Sequence, residues 1–132
     1  MKTVLIVEDN PINVQVFSKI LTKRGGLAVK HTEDVEEVLQ IAHTKTADVI
    51  LMDVALANSR YQGQPIDGVQ ITQMLKANPA TATLPVILVT ANAMAGDREE
   101  LLAQSGADGY IAKPVIDYQA FLSEILSKID PK

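Results

Sequence analysis

Cysteine is absent from this chain of 132 residues. That absence removes disulfides, thiolate zinc sites and cysteine nucleophiles together. The formal net charge is -4 and no cluster of Lys and Arg stands out. The concentrated positive charge that neutralises nucleic-acid phosphates is therefore missing, and no nucleic-acid partner is expected. The N-terminus has no apolar stretch of signal-peptide form, and no run approaches membrane-spanning length. These absences predict a soluble cytoplasmic protein with no membrane partner. Repeats, low-complexity tracts and linkers are missing as well, which leaves residues 1–132 as one unit. A chain of this length is an ordinary single domain that buries roughly two thirds of its unfolded surface without staples.

What the chain does contain is alternation. Five apolar runs, at residues 3–7, 27–31, 49–53, 85–89 and 108–112, read as buried strands. Five helical patterns follow them. The first is signposted by Asn10 as a cap and Pro11 at the first helical position; it carries Val16, Phe17, Ile20 and Leu21 on its inner face and stops at Gly25-Gly26. The second starts near Asp34, with Val35, Val38, Leu39 and Ala42 at helical spacing. The third spans about residues 67–77 and the fourth about 94–104. The fifth shows a stripe of Tyr118, Phe121, Leu122, Ile125, Leu126 and Ile129. Strands alternating with helices predict βαβ units, and the right-handed crossover rule reduces these to an α/β fold: a doubly wound, five-stranded parallel sheet with five helices. One stretch, residues 54–66, breaks the rhythm and reads as a long loop beginning beside Asp53.

The polar residues that close the runs carry the chemistry. Glu8-Asp9 follow the first run, Asp53 ends the third, Thr90 follows the fourth and Lys113-Pro114 follow the fifth. In an open parallel sheet the carboxyl ends of the strands form the ligand crevice. The sequence thus predicts one site with three carboxylates, a hydroxyl and an ammonium. Converging carboxylates repel unless a cation sits among them or some of them hold a proton. Mg²⁺ suits such a site, being a hard ion with oxygen ligands. Asp53 is the expected nucleophile, since a carboxylate attacks phosphorus to give an acyl phosphate. Asp9 and Asp53 are expected to hold Mg²⁺, with Glu8 near its waters and the Ala55 carbonyl as a further oxygen ligand. Lys113 pairs with Asp53 and then with the phosphoryl oxygens. The Thr90 hydroxyl meets those oxygens only in the phosphorylated state, so it can bias a two-state equilibrium of the surrounding loops.

Taken singly these residues have plainer readings. Glu8 or Asp9 could simply favour a helix N-terminus, Thr90 could be an ordinary strand residue, Lys113-Pro114 a strand terminator and Tyr110 a half-buried packing residue. His31 and His43 lie at element ends beside no carboxylate pattern and are assigned no function; Met52, Met74 and Met94 read as packing. The plain readings fail jointly, because they need separate coincidences at four strand ends.

In this pattern the chain resembles the receiver domain of bacterial two-component response regulators. The matching marks are Val7-Glu8-Asp9-Asn10, Leu51-Met52-Asp53, Asp67-Gly68, Val89-Thr90-Ala91, Gly106-Ala107-Asp108-Gly109-Tyr110 and Lys113-Pro114. The run from Glu8 to Asn13 is similar to single-domain cell-division regulators and to receivers attached to hybrid histidine kinases. The resemblance implies Asp53 as phosphoacceptor, Glu8 and Asp9 as metal acids, Lys113 and Thr90 in the catalytic and switch roles, and Tyr110 as a switch aromatic. It also implies the flavodoxin-like strand order 2-1-3-4-5, a cis Lys113-Pro114 bond and an output face on the fourth helix, fifth strand and fifth helix. The phosphoryl donor it implies is a sensor histidine kinase or histidine phosphotransfer protein. The product is a switched protein contact or a relayed phosphate, from a signalling protein that takes part in its own phosphotransfer rather than an enzyme. No output domain is expected within the chain.

The chain departs from that family at Ala57, where a proline is usual, and in a loop before Asp67-Gly68 that is longer by roughly seven residues, an insertion whose closure entropy is small. Ala55 offers no side chain to a phosphoryl group, and Asn92 is amide rather than acid. Two alternatives stand beside the leading reading: an unphosphorylated docking module on the same fold, and an aspartyl-phosphate hydrolase. The hydrolases resemble one another in an Asp-x-Asp motif after the first strand, where this chain has Glu8-Asp9-Asn10. A flavodoxin-like cofactor binder needs a phosphate loop there, and the two acids would repel one.

Overall fold

The computed structural model describes residues 2–56, 60–91, 97–113, 115 and 117–129. In chain order the elements are β1 (Thr3–Val7), α1 (Pro11–Lys19) running on into a π-helical turn (Ile20–Arg24), β2 (Ala28–Thr32), α2 (Val35–Thr44), β3 (Val49–Asp53), β4 (Arg60–Tyr61), β5 (Gln64–Pro65), α3 (Gly68–Ala77), β6 (Val86–Thr90), α4 (Asp97–Ser105), β7 (Gly109–Ala112) and α5 (Tyr118–Ile129). Five strands form one sheet in the order β2-β1-β3-β6-β7, and every neighbouring pair is parallel. With the small β4-β5 hairpin set apart, this is the expected 2-1-3-4-5 order. The chain order reverses between β1 and β3, so the crevice at the carboxyl ends opens there.

The two-residue period of a strand divides the core. Val4, Ile6, Val49, Leu51, Ile87 and Val89 face Phe17, Ile20, Leu21, Phe121 and Ile125 on one side. Leu5, Val7, Ile50, Met52, Val86 and Leu88 face Val35, Val38, Ala42, Ile71 and Leu75 on the other. Both faces are covered, which is why the strands read as unbroken apolar runs. Each fully buried Leu or Ile here contributes about 2 kcal/mol. The rings of Phe17 and Phe121 stack with centroids 5.4 Å apart and tie α1 to α5.

Helix starts follow the side chains that accept their first amides. Asn10 accepts from Ile12 N–H at 2.9 Å, and Asp34 from Glu36 N–H at 3.0 Å. Asp67 and Gln70 exchange bonds in a capping box at the start of α3.

Several expectations need correction. Strand β2 runs one residue later than residues 27–31, and Leu27 is buried ahead of it. Helix α4 is described from Asp97 and ends at Ser105, one residue beyond the expected end; its expected start at Met94 lies outside the described residues. Val16, assigned to the inner face of α1, is 39% exposed. Tyr118 and Leu126 of the α5 stripe are also exposed, because that stripe is wider than the face it buries. Arg24 instead lies over the exposed Tyr118 ring, 5.1 Å from its centroid. The first helix does end at Gly25-Gly26, as expected, but its last turn widens into the π form, closed by Gly25 N–H on the Ile20 carbonyl at 3.1 Å. The stretch read as a loop contains the hairpin β4-β5, turned at Gln62 and Gly63, both at positive φ. Tyr61 packs it against the α2-α3 layer. The atypical Ala57, Asn92 and the Pro114 half of the Lys113-Pro114 bond lie outside the described residues.

Candidate functional site

Alternation along the strands decides which side chains meet. Glu8 continues the face of Val4 and Ile6, Asp53 that of Val49 and Leu51, and Lys113 that of Ile111. All three therefore emerge on the side of α1 and α5, at the carboxyl edge of the sheet. Glu8 is 1% exposed and Asp53 4%. The Lys113 ammonium lies 3.3 Å from Glu8 Oε1 and 3.4 Å from Asp53 Oδ1. Asp9 joins them, and one carboxylate oxygen from each of Glu8, Asp9 and Asp53 lies within 4.8 Å of the others.

Local backbone holds these carboxylates in place. Glu8 Oε2 accepts from Asn10 N–H at 3.2 Å, and Oε1 from the Asn13 amide at 3.3 Å. Asp53 Oδ1 accepts from Ala55 N–H at 3.1 Å, a bond that turns the chain away from β3. Gly68 presses against the Asp53 backbone so closely that a Cβ there would collide with the Asp53 carbonyl oxygen. Its N–H donates to the Val54 carbonyl at 3.2 Å. The mark Asp67-Gly68 thus has a structural reason: Asp67 starts α3 and Gly68 lets that start touch the strand end.

Two buried carboxylates share one ammonium, and the electrostatics register the shortfall. Burial raises the Glu8 carboxyl from 4.5 to about 7; its hydrogen bond to Asp53 and repulsion from Asp53 push the same way, against the Asn10 N–H and the Lys113 charge. Without a further cation, Glu8 keeps its proton close to neutrality. A hard divalent cation fits this set of carboxylate oxygens and relieves the same shortfall.

The other expected residues are nearby. Thr90 is buried at the end of β6, one residue beyond Val89, which pairs with Asp53. Its carbonyl accepts from Lys113 N–H at 2.8 Å, joining the two strand ends. By strand alternation Thr90 belongs with Val86 and Leu88, on the side of α3. Tyr110 is half-buried on β7 and lines a groove with Arg98, Ala112, Val115 and Phe121, between α4 and α5.

Sequence reasoning missed two contributors. Asn13 had no assigned role, although one turn into α1 is where a side chain can reach back to the end of β1. His31, set aside as functionless, places Nε2 at 2.7 Å from the Glu8 carbonyl oxygen. No sequence pattern announces a bond from an imidazole to a backbone atom on a neighbouring strand.

Comparison with known proteins agrees with this geometry. The sequence profile of the response regulator receiver domain matches residues 4–125. The polar-differentiation response regulator DivK of Brucella anthropi is 37% identical over 114 residues, which cover 86% of this chain and 85% of DivK. Among solved structures, the receiver domain of the sensor histidine kinase PA1611 from Pseudomonas aeruginosa, described with a magnesium ion coordinated in its active-site cleft, is 35% identical. It superposes with a TM-score of 0.75 over 96% of this chain and 95% of that one. A putative response regulator from Chloroflexus aurantiacus is 27% identical with a TM-score of 0.78, over 97% and 96% of the two chains.

Proposed function

Since the chain belongs to the response regulator receiver domain family, we propose that Asp53 accepts its phosphoryl group and that Glu8, Asp9, Lys113 and Thr90 serve that transfer. The observation that carries the reading is the buried Asp53 carboxylate, within reach of the Lys113 ammonium and of two further acids. A carboxylate oxygen of Asp53 attacks phosphorus. The bond from phosphorus to the donor breaks, and on a phosphohistidine donor the imidazole leaves with the bonding pair. Lys113 follows the charge from the Asp53 carboxylate to the phosphoryl oxygens as a point charge. Asp9 and Asp53 hold the metal, with the Ala55 carbonyl as an added oxygen and Glu8 beside them. Mg²⁺, when bound there, supplies charge neutralisation for the transferring group.

Thr90 reads the result. Its hydroxyl binds a phosphoryl oxygen in one state only, and its movement makes room for Tyr110 to turn inward from the groove between α4 and α5. The face formed by α4, β7 and α5 then meets an output protein, or Asp53 passes the phosphoryl group onward in a relay. The donor is a sensor histidine kinase or a histidine phosphotransfer protein, and such a donor places the chain in the cytoplasm. Among the described residues, no helix is long and apolar enough to cross a membrane.

Intact mass after incubation with acetyl phosphate tests the reading. The expected result is one added phosphoryl group in the wild type, dependent on Mg²⁺ and lost in Asp53→Asn. No adduct in the wild type, sampled fast enough to precede hydrolysis, would favour an unphosphorylated docking module.

A further inference from the structure

The bond between His31 and the Glu8 carbonyl stands where the sheet runs out of partners. In a parallel ladder the carbonyls of every second residue point to the same neighbouring strand. The Lys2 carbonyl accepts from Ala28 N–H of β2 at 2.9 Å, while the Thr3 carbonyl accepts from Asp48 N–H on the β3 side. Even-numbered carbonyls of β1 therefore face β2, and Glu8 carries the next one past the end of the strand. The register pairs Val7 with Thr32. Stepping by two along β2 assigns the Glu8 carbonyl to Asp34 N–H. That amide donates instead to Thr32 Oγ1 at 3.0 Å, as the chain turns to start α2. The ladder lacks one donor, and His31 Nε2 takes its place at 2.7 Å.

We propose that His31 is a positioning residue for the acid pair: its Nε2–H holds the Glu8 carbonyl, fixes the peptide plane between Glu8 and Asp9, and so sets the direction in which Asp9 presents its carboxylate. The inference rests on the reading of Glu8 and Asp9 as metal acids. The acceptor is a carbonyl, so the nitrogen facing it carries the proton; the Nε2–H tautomer and the imidazolium both satisfy it. The role is one hydrogen bond removed from the ligands, the distance at which supporting groups tune metal affinity.

The test uses Mn²⁺ as a spin-active probe of the wild type, His31→Ala, His31→Gln and His31→Asn, read by electron paramagnetic resonance titration. Glutamine places an amide nitrogen as many bonds from Cα as Nε2, and asparagine falls one bond short. The expected result is an Mn²⁺ dissociation constant raised about tenfold or more in His31→Ala and His31→Asn, and restored to within about twofold in His31→Gln. With acetyl phosphate, the Mg²⁺ concentration at half-maximal rate rises by the same factor while the limiting rate at saturating Mg²⁺ stays within about twofold. In the metal-free protein the Asp9 amide resonance moves in His31→Ala and returns in His31→Gln. Mn²⁺ binding by His31→Ala equal to that of a binding-competent wild type overturns the role of His31 alone. So does failure of glutamine to rescue, or a loss confined to the limiting rate. A wild type that binds no Mn²⁺ overturns the metal reading of the acids and this inference with it.

Discussion

Two lysines anchor opposite ends of the same sheet, and they are bonded in opposite ways. At the amino end, Lys76 Nζ meets Asp108 Oδ2 at 2.7 Å and the carbonyls of Leu84 and Ala82 at 2.9 and 3.0 Å. Three donors find three acceptors. Asp108 Oδ2 also accepts from Val86 N–H at 2.9 Å, so one ion pair closes α3, the turn after it and the entrances of two strands. At the carboxyl end, Lys113 stands 3.3 and 3.4 Å from two carboxylates, longer than the roughly 2.7–2.9 Å of a good charge-assisted bond. One end is balanced and finished. The other is short of positive charge and loosely held, which suits the partner exchange proposed for it.

The largest expected effect comes from removing each lysine in turn. Lys113→Ala lowers the rate of phosphorylation by acetyl phosphate by about 100-fold or more at saturating Mg²⁺, with little change in the denaturation midpoint of the metal-loaded protein. Lys76→Met does the reverse. It leaves the Leu84 and Ala82 carbonyls without this donor, Asp108 keeping only Val86 N–H, and destabilises by about 2 kcal/mol in urea titrations, while the phosphorylation rate stays within about twofold. Equal effects of the two on rate would erase the distinction between the ends.

The next effect sharpens the contrast through pH. The Glu8 carboxyl is raised above its unfolded value of 4.5 to about 7. A raised carboxyl gives stability that is fully present below the unfolded value and is lost as pH rises through the folded one. The metal-free protein should therefore lose up to about 3 kcal/mol between pH 4.5 and 7 on account of this group. Glu8→Gln should flatten that slope in denaturant titrations, and Mg²⁺ should recover stability above pH 7 in the wild type. The smallest effect lies at the balanced end. Asp48→Ala removes a 2.7 Å acceptor from Thr3 N–H and should destabilise by about 1 kcal/mol. Its Mn²⁺ affinity should stay unchanged.

The contrast also marks what a sequence discloses. Glu8, Asp53 and Lys113 were legible because each ends an apolar run, and strand periodicity and fold topology then bring such ends together. The parallel, doubly wound sheet followed from the alternation of runs and helical patterns, and its strand order from the family resemblance. The Lys76 clamp was not legible, since a lysine near a helix end beside ordinary loop carbonyls has no signature. The exposed Val16 and Leu126 were misplaced because an apolar stripe shows that a face exists but not how much of it the neighbouring layer covers. The hairpin escaped because strands of two residues carry no period, and only Gln62-Gly63 hinted at a turn. His31 escaped because its partner is backbone.

The contact of Gly68 with the strand end has a consequence for how such a chain can vary. Val54 and Gly68 are joined by a hydrogen bond, and α3 starts hard against Asp53. The hairpin from Arg60 to Pro65 thus springs from a neck closed at Val54 and Gly68, so a change in its length need not displace Asp53. The insertion with its hairpin is in that sense an exchangeable cassette. Such a segment can be lengthened or trimmed at its tip while the strand end and the start of α3 keep their contact.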